Sequence, residues 1–335
     1  MTAGIAAELF VRGCAWPGTD DLPYPRADPT DLDRLPGDTV ASARLPVGVR
    51  LEMVGDAELV ELDYETRTDD LGYRGDGAGR DFTVVCRGEV FAEEAARLGP
   101  GMARLDIGAV DERDADDPVL VYLPEGMRPV VRAVRAFGGA VEPAPLQPRW
   151  LAYGDSITEG WIASGPVAAW PAIAGRRFGL DVVNLGYAGA ARGETVSAEH
   201  IAALDAAVIS ISHGTNCWSR IPSSVAGFRE QTRAFLEIVR QGHPDTPIVV
   251  TSPILRPDAE ATPNRLGASL DDLRTVMQDV AHERIAAGDG ALTLVEGGGL
   301  IAADDLPDGI HPGDHGHAVL ADVFGAAVAR ASTTR

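Results

Sequence analysis

The spacing of apolar and polar residues changes character near residue 145. Before it, apolar residues come in short runs: "VGVRLEMVGDAELVELDYET" (47–66), "DFTVVCRGEVF" (81–91), "MARLDIGA" (102–109) and "PVLVYLP" (118–124). These runs are rich in Val, Leu and Thr, are separated by Gly, Asp and Pro, and show no long helical repeat. They predict an all-β domain over residues 1–145, an antiparallel β-sandwich or jelly roll. "VEPAPLQPR" (141–149) reads as a linker, because its prolines fit neither a helix nor a central strand.

From residue 149 to the end the pattern alternates. Apolar strands ("RWLAYGDS", "LDVVNLG", "AAVISISHGTN", "PIVVTSPIL", "ALTLVEG") are separated by amphipathic helices ("WPAIAGRRFG", "GETVSAEHIAAL", "SVAGFREQTRAFLEIVRQG", "LDDLRTVMQDVAHERIAAG"), with "GDHGHAVLADVFGAAVARA" as the terminal helix. Such alternation predicts βαβ units and a parallel sheet covered on both faces, so residues 149–335 form an α/β domain. Ligands bind such sheets at the carboxyl ends of the strands, and chemistry is sought there.

Polar residues gather at those ends. The first strand runs into Asp155-Ser156, the second into "NLGYAG" (184–189) and the third into "HGTN" (213–216); the loop after the fifth holds "DGIHP" (308–312). Together they supply a hydroxyl, a glycine amide, an asparagine amide, a histidine and a carboxylate, which are the groups acyl transfer needs. A serine hydroxyl requires an imidazole to take its proton, and His311 can serve if a carboxylate holds its other nitrogen. Asp308 lies three residues before His311, so one tight loop can present both. The N–H groups of Ser156 and Gly189 and the amide of Asn216 can supply donors to a tetrahedral oxyanion.

The order Gly-Asp-Ser, Asn-x-x-x-x-Gly, Gly-x-Asn, Asp-x-x-His-Pro resembles the SGNH (GDSL) hydrolase superfamily over roughly residues 149–330. The resemblance implies a flavodoxin-like three-layer α/β/α sandwich. It also implies a Ser156-His311-Asp308 triad and an oxyanion hole from Ser156, Gly189 and Asn216. No metal or organic cofactor is implied. Many members continue Gly-x-Asn with aspartate, where this chain has Cys217 and Trp218, and His213 stands where an apolar residue is commoner. These departures are read as shaping the pocket, and Asp155, His213, Trp218 and Ile310 are the expected substrate-pocket residues. A β-sandwich before such a domain resembles two groups: two-domain carbohydrate esterases, and actinobacterial enzymes typified by a salicylyl acyltransferase of tetracycline tailoring. The stretch 242–255 is similar to the second group.

Composition narrows the partners. A net charge of −21 without a basic cluster argues against nucleic acid and anionic lipid. No run of about 18 apolar residues exists to span a membrane, and the N-terminus lacks the pattern of a secretory signal, so a cytoplasmic location is expected. The chain has no lysine, which excludes a Walker loop, a pyridoxal Schiff base and a Ser-Lys dyad. Its three cysteines, Cys14, Cys86 and Cys217, have no metal-ligand spacing. In "HPGDHGH" (311–317), His311, Asp314, His315 and His317 are ligand types, but the spacing matches no metal motif; His317 is expected to pack in the core. His200 and His282 are expected at the surface, "GDGAGR" (75–80) as a turn and "DERDADD" (111–117) as a solvated loop. The expected substrate is a small-molecule or sugar acyl ester. If water resolves the acyl-enzyme the protein is an esterase or deacetylase; if a bound alcohol does, it is an acyltransferase. A non-catalytic carbohydrate-binding protein is the third alternative.

Overall fold

Alternation along the N-terminal strands sets which face each residue takes. In the computed structural model, which describes residues 4–70, 79–109 and 114–333, the chain divides into two units. One comprises residues 1–26, 44–147 and 165–167; the other comprises 27–43, 148–164 and 168–335. Most of the glycine-rich stretch at 75–80 and the start of the acidic run at 111–117 lie outside the described residues.

The first unit contains two antiparallel sheets. One is ordered β1 (Ile5–Ala6), β9 (Val130–Phe137), β4 (Leu59–Thr66), β7 (Gly99–Asp106). The other is ordered β10 (Val141–Pro143), β3 (Arg50–Gly55), β8 (Val119–Tyr122), β5 (Asp81–Cys86), β6 (Glu89–Ala95), with β2 (Val11–Arg12) also pairing β3. Along β4, Val60, Leu62 and Tyr64 point inward while Glu61 and Asp63 are partly exposed, the signature of a half-buried strand. Those three side chains share one core with Leu51, Met53, Phe82, Val84 and Val121 of the other sheet, making a sandwich. Part of the expected linker is strand: Val141–Pro143 pairs with β3, and the proline at its last position closes the sheet's end.

The second unit is the predicted α/β layer structure. Its strands are β11 (Arg149–Gly154), β12 (Asp181–Gly186), β13 (Val208–Ser212), β14 (Ile248–Thr251) and β15 (Leu292–Val295). They form a parallel sheet in the order β12-β11-β13-β14-β15, the flavodoxin-like order whose topological switch lies between β11 and β13. Every residue of β12 is buried, as a strand covered on both faces demands. The helices are α1 (Gly37–Ala43), α2 (Ser156–Glu159), α3 (Trp170–Phe178), α4 (Thr195–Ala202), α5 (Val225–Gly242), α6 (Leu270–Ala286), α7 (Asp314–Leu320) and α8 (Ala326–Thr333). A π-helical segment, Ala321–Gly325, joins the last two. Helices α4, α5 and α6 pack as one group and α3, α7 and α8 as another, giving the outer layers.

Candidate active site

Ser156 opens α2 directly beyond β11. Asp155 caps that turn, its carboxylate accepting the Ile157 N–H at 3.0 Å. The preceding Gly154 is dictated by space: a Cβ there would lie 2.1 Å from Thr158 Oγ1 and 2.5 Å from the Ser212 carbonyl oxygen. The turn therefore rests on the strand ends with no room for a side chain between them. Ser156 is only 5% exposed. Burial raises the Asp155 carboxyl from 3.8 to about 6, against the hydrogen bonds that favour its charge.

Facing the serine is the loop before α7. His311 Nε2 lies 2.8 Å from Ser156 Oγ, and His311 Nδ1 lies 2.6 Å from Asp308 Oδ2. Asp308 Oδ1 also accepts the backbone N–H groups of Ile310 at 2.9 Å and His311 at 2.8 Å. One carboxylate thus organises the loop backbone and orients the ring. These partners assign the tautomer, with Nδ1–H donating to Asp308 and Nε2 left to accept. Burial holds the His311 pKa below its usual value of 6.5 despite the opposing pull of Asp308, so the ring is neutral near pH 7. Burial also pushes Asp308 upward, but its bonds to His311 and Ile310 outweigh that, and its pKa is lowered.

Gly189 and Asn216 stand beyond the next two strands. Gly154 of β11 is in register with Gly186 of β12 and Ser212 of β13, so the three loops leave adjacent strand ends. Gly189 has φ of +68°, a left-handed conformation that favours glycine, and its N–H has no acceptor among the described residues. Ser156, at the first helical position, likewise has no acceptor for its N–H within the helix. Asn216 Nδ2 donates to the Ala191 carbonyl at 3.3 Å and keeps its second hydrogen.

The Gly189 loop is held by residues that motif reading missed. Buried Glu159 accepts the Ala188 N–H at 2.9 Å and the Ser42 hydroxyl at 2.7 Å through one oxygen. Arg192 donates to the Gly189 carbonyl at 2.9 Å and to Asp38 at 2.8 Å. Ser42 and Asp38 both lie in α1, a short helix without its own apolar repeat. Trp161 adds a ring 5.5 Å from that of His311, tilted by 34°.

The expected pocket residues separate. Trp218 immediately follows the turn bearing Asn216, and its indole N–H donates to the Thr262 carbonyl at 2.7 Å. Ile310 is half-buried in the Asp308–His311 loop. Asp155 backs the turn that bears Ser156. His213 is instead enclosed by the rings of Tyr153, Phe228 and Phe235, where burial lowers its pKa to about 4. Cys217 is buried as well, and burial raises its thiol to about 12.

His200 departs from its expected surface position. It is buried, accepting the Asp28 N–H at 3.4 Å and pairing with Asp31 at 3.1 Å, because residues 27–43 cover it. His282 is exposed, and His317 is buried, accepting the Trp170 N–H at 3.3 Å. His315 is exposed and bonds Asp305 at 2.8 Å. Among the described residues no group of three His, Cys, Asp or Glu side chains is arranged to hold a metal ion, and no helix is long and apolar enough to cross a membrane.

A doubly wound sheet with these blocks at its switch point defines an enzyme of acyl-ester chemistry. The chain belongs to the GDSL-like lipase/acylhydrolase family, which it matches over residues 148–329. No curated protein matches it by sequence. Among solved structures it is similar to the salicylyl-acyltransferase SsfX3 from a tetracycline biosynthetic pathway: TM-score 0.80, 26% identity, covering 93% of this chain and 91% of that one. A protein from Bacteroides ovatus described as a GDSL-like lipase gives TM-score 0.80 at 19% identity, covering 98% and 97%. A family two carbohydrate esterase from Clostridium thermocellum, in complex with cellohexaose, gives 0.62 at 16%, covering 84% and 91%. The last two likenesses concern the fold alone.

Proposed function

We propose that this chain hydrolyses a small-molecule or sugar ester through an acyl-enzyme on Ser156. The observation that carries the reading is the hydrogen-bonded relay, 2.8 Å from Ser156 Oγ to His311 Nε2 and 2.6 Å from His311 Nδ1 to Asp308 Oδ2. His311 is neutral near pH 7 and takes the hydroxyl proton as Ser156 Oγ attacks the carbonyl carbon. Negative charge collects on the carbonyl oxygen, which receives hydrogen bonds from the N–H groups of Ser156 and Gly189 and the amide of Asn216. Each such donor is worth about 10²- to 10³-fold in rate. Asp308 stabilises the imidazolium and fixes its orientation. The imidazolium then protonates the departing alcohol as the tetrahedral carbon collapses to the acyl-enzyme. Water attacks that ester, giving its proton to His311, and the carboxylic acid leaves as Ser156 Oγ recovers a proton.

A second reading, transfer of the acyl group to an alcohol in place of water, is favoured by the similarity to the salicylyl-acyltransferase across 93% of the chain. The two differ only in what attacks the acyl-enzyme.

Intact-protein mass after brief exposure to 4-nitrophenyl acetate tests both, wild type beside Ser156→Ala. An adduct on wild type alone that water clears supports hydrolysis. An adduct that persists until a sugar or polyketide alcohol is added, then moves to it, supports transfer. Unchanged turnover by Ser156→Ala would overturn the acyl-enzyme.

A further inference from the structure

The loop after β14 carries no residue of the catalytic motifs, yet it sets a cation beside them. Arg256 lies five residues beyond the end of that strand. Its guanidinium carbon sits 4.8 Å from the centre of the Trp218 ring, a cation–π contact with the residue that follows the Asn216 turn. Asp258 holds its side edge, at 2.9 Å from Nε and 3.2 Å from Nη2. The side chain is 11% exposed, and its backbone N–H is tied to Glu260 at 2.9 Å. The planar group is therefore clamped by a carboxylate on one edge and an indole on one face. The opposite edge, Nη1 with the second hydrogen of Nη2, has no acceptor among the described residues.

The position of this cation is unfavourable for the chemistry unless something answers it. Its field reaches both Asp155 and His311, and at His311 it opposes protonation. The proposed mechanism needs His311 to become an imidazolium beside that charge. Asp258 offsets it incompletely, because that carboxylate is 56% exposed and screened by water. A substrate anion on the vacant guanidinium edge would cancel the repulsion when imidazolium forms. The planar edge matches the two oxygens of a carboxylate.

We propose that Arg256, braced by Trp218 and Asp258, is a specificity-determining residue that selects esters bearing a carboxylate close to the scissile carbonyl. The inference rests on the Ser156 acyl-enzyme reading. The carboxylate takes a bidentate pair of hydrogen bonds from Nη1 and Nη2, while the ester carbonyl meets Ser156. Substrate selection thus comes from a loop outside the catalytic blocks.

The test compares kcat/KM for mono(4-nitrophenyl) glutarate and the uncharged 4-nitrophenyl pentanoate. Ser156→Ala supplies the background, including internal attack by the glutarate carboxylate. Wild type is expected to favour the glutarate ester by about tenfold or more. That ratio should fall about 10- to 100-fold in Arg256→Gln, the range of a charged hydrogen-bonded pair, and fall less in Arg256→Lys, which keeps the charge without the planar edge. Equal use of the two esters by wild type overturns the inference, and so does an equal loss on both in Arg256→Gln. Turnover by Ser156→Ala that matches wild type overturns the acyl-enzyme reading instead, whereas a small residual rate above the enzyme-free rate is what oxyanion donors and binding alone leave behind.

Discussion

Ser156 and His311 meet across 2.8 Å, yet the segments that carry them are held in opposite ways. The serine's turn is buried and wedged: Gly154 leaves no space for a methyl group, and Ser156 is 5% exposed. The histidine's loop lies nearer solvent, with the Asp308 side chain 35% exposed, and that one carboxylate accepts two backbone N–H groups and the ring. Shape fixes Ser156, whereas ionisation fixes His311. The same perturbation should therefore act differently on the two sides.

The largest effect should follow from Asp308→Asn. The amide can donate to Nδ1 and invert the tautomer, and the imidazolium loses its counter-charge; kcat should fall about 10⁴-fold. Because the residue is partly exposed, the melting temperature should change little. A thermal melt run beside steady-state kinetics checks both halves, and a large loss of stability at full activity would reverse the comparison. Gly154→Ala should show the opposite balance. Its methyl group must displace Thr158 or the Ser212 carbonyl, costing about 1–3 kcal/mol of stability. An unchanged denaturation midpoint would mean that the turn is not wedged.

The smallest effect concerns pH. The proposed mechanism needs His311 neutral, so kcat/KM should fall on the acid side with an inflection below 6.5. The charges acting on this ring are Asp308 and Glu159, which raise its pKa, and Arg256, which lowers it. Arg256→Gln should therefore move the acid limb to higher pH. A limb that moves to lower pH, measured on an uncharged ester, would contradict the assigned field.

Much of the α/β unit was legible because its strands are apolar runs between amphipathic helices, and all but the fourth lead into a distinctive polar group. The strand ends at Asp155-Ser156 and "HGTN" announce both the fold and the place to look within it. Strand β9 was not legible. Its Arg132 and Arg135 interrupt the apolar run, and their charges are answered by Glu65 and Glu61 on β4, far away in sequence. Helix α1 was hidden for a related reason: it is seven residues long and is tied down by side-chain bonds from Asp38 and Ser42 to Arg192 and Glu159. His200 read as a surface residue because its cover comes from residues 27–43. Arg256 carries no local signal, since only the fold brings it beside Trp218. Motifs record the chemistry that a strand end presents, whereas the partners that hold those ends are written elsewhere in the chain.

Helix α1 has a further consequence for how such proteins can be rearranged. The family match begins at residue 148, but Asp38 and Ser42 of the catalytic unit are encoded more than a hundred residues earlier. A recombination joint at residue 148 would look like a clean exchange of modules, yet the transplanted enzyme would arrive without the donor to Glu159 and the anchor of Arg192. Exchange of the β-sandwich is therefore a matter of grafting around residues 27–43, and a joint at residue 148 leaves Glu159 and Arg192 to find new partners.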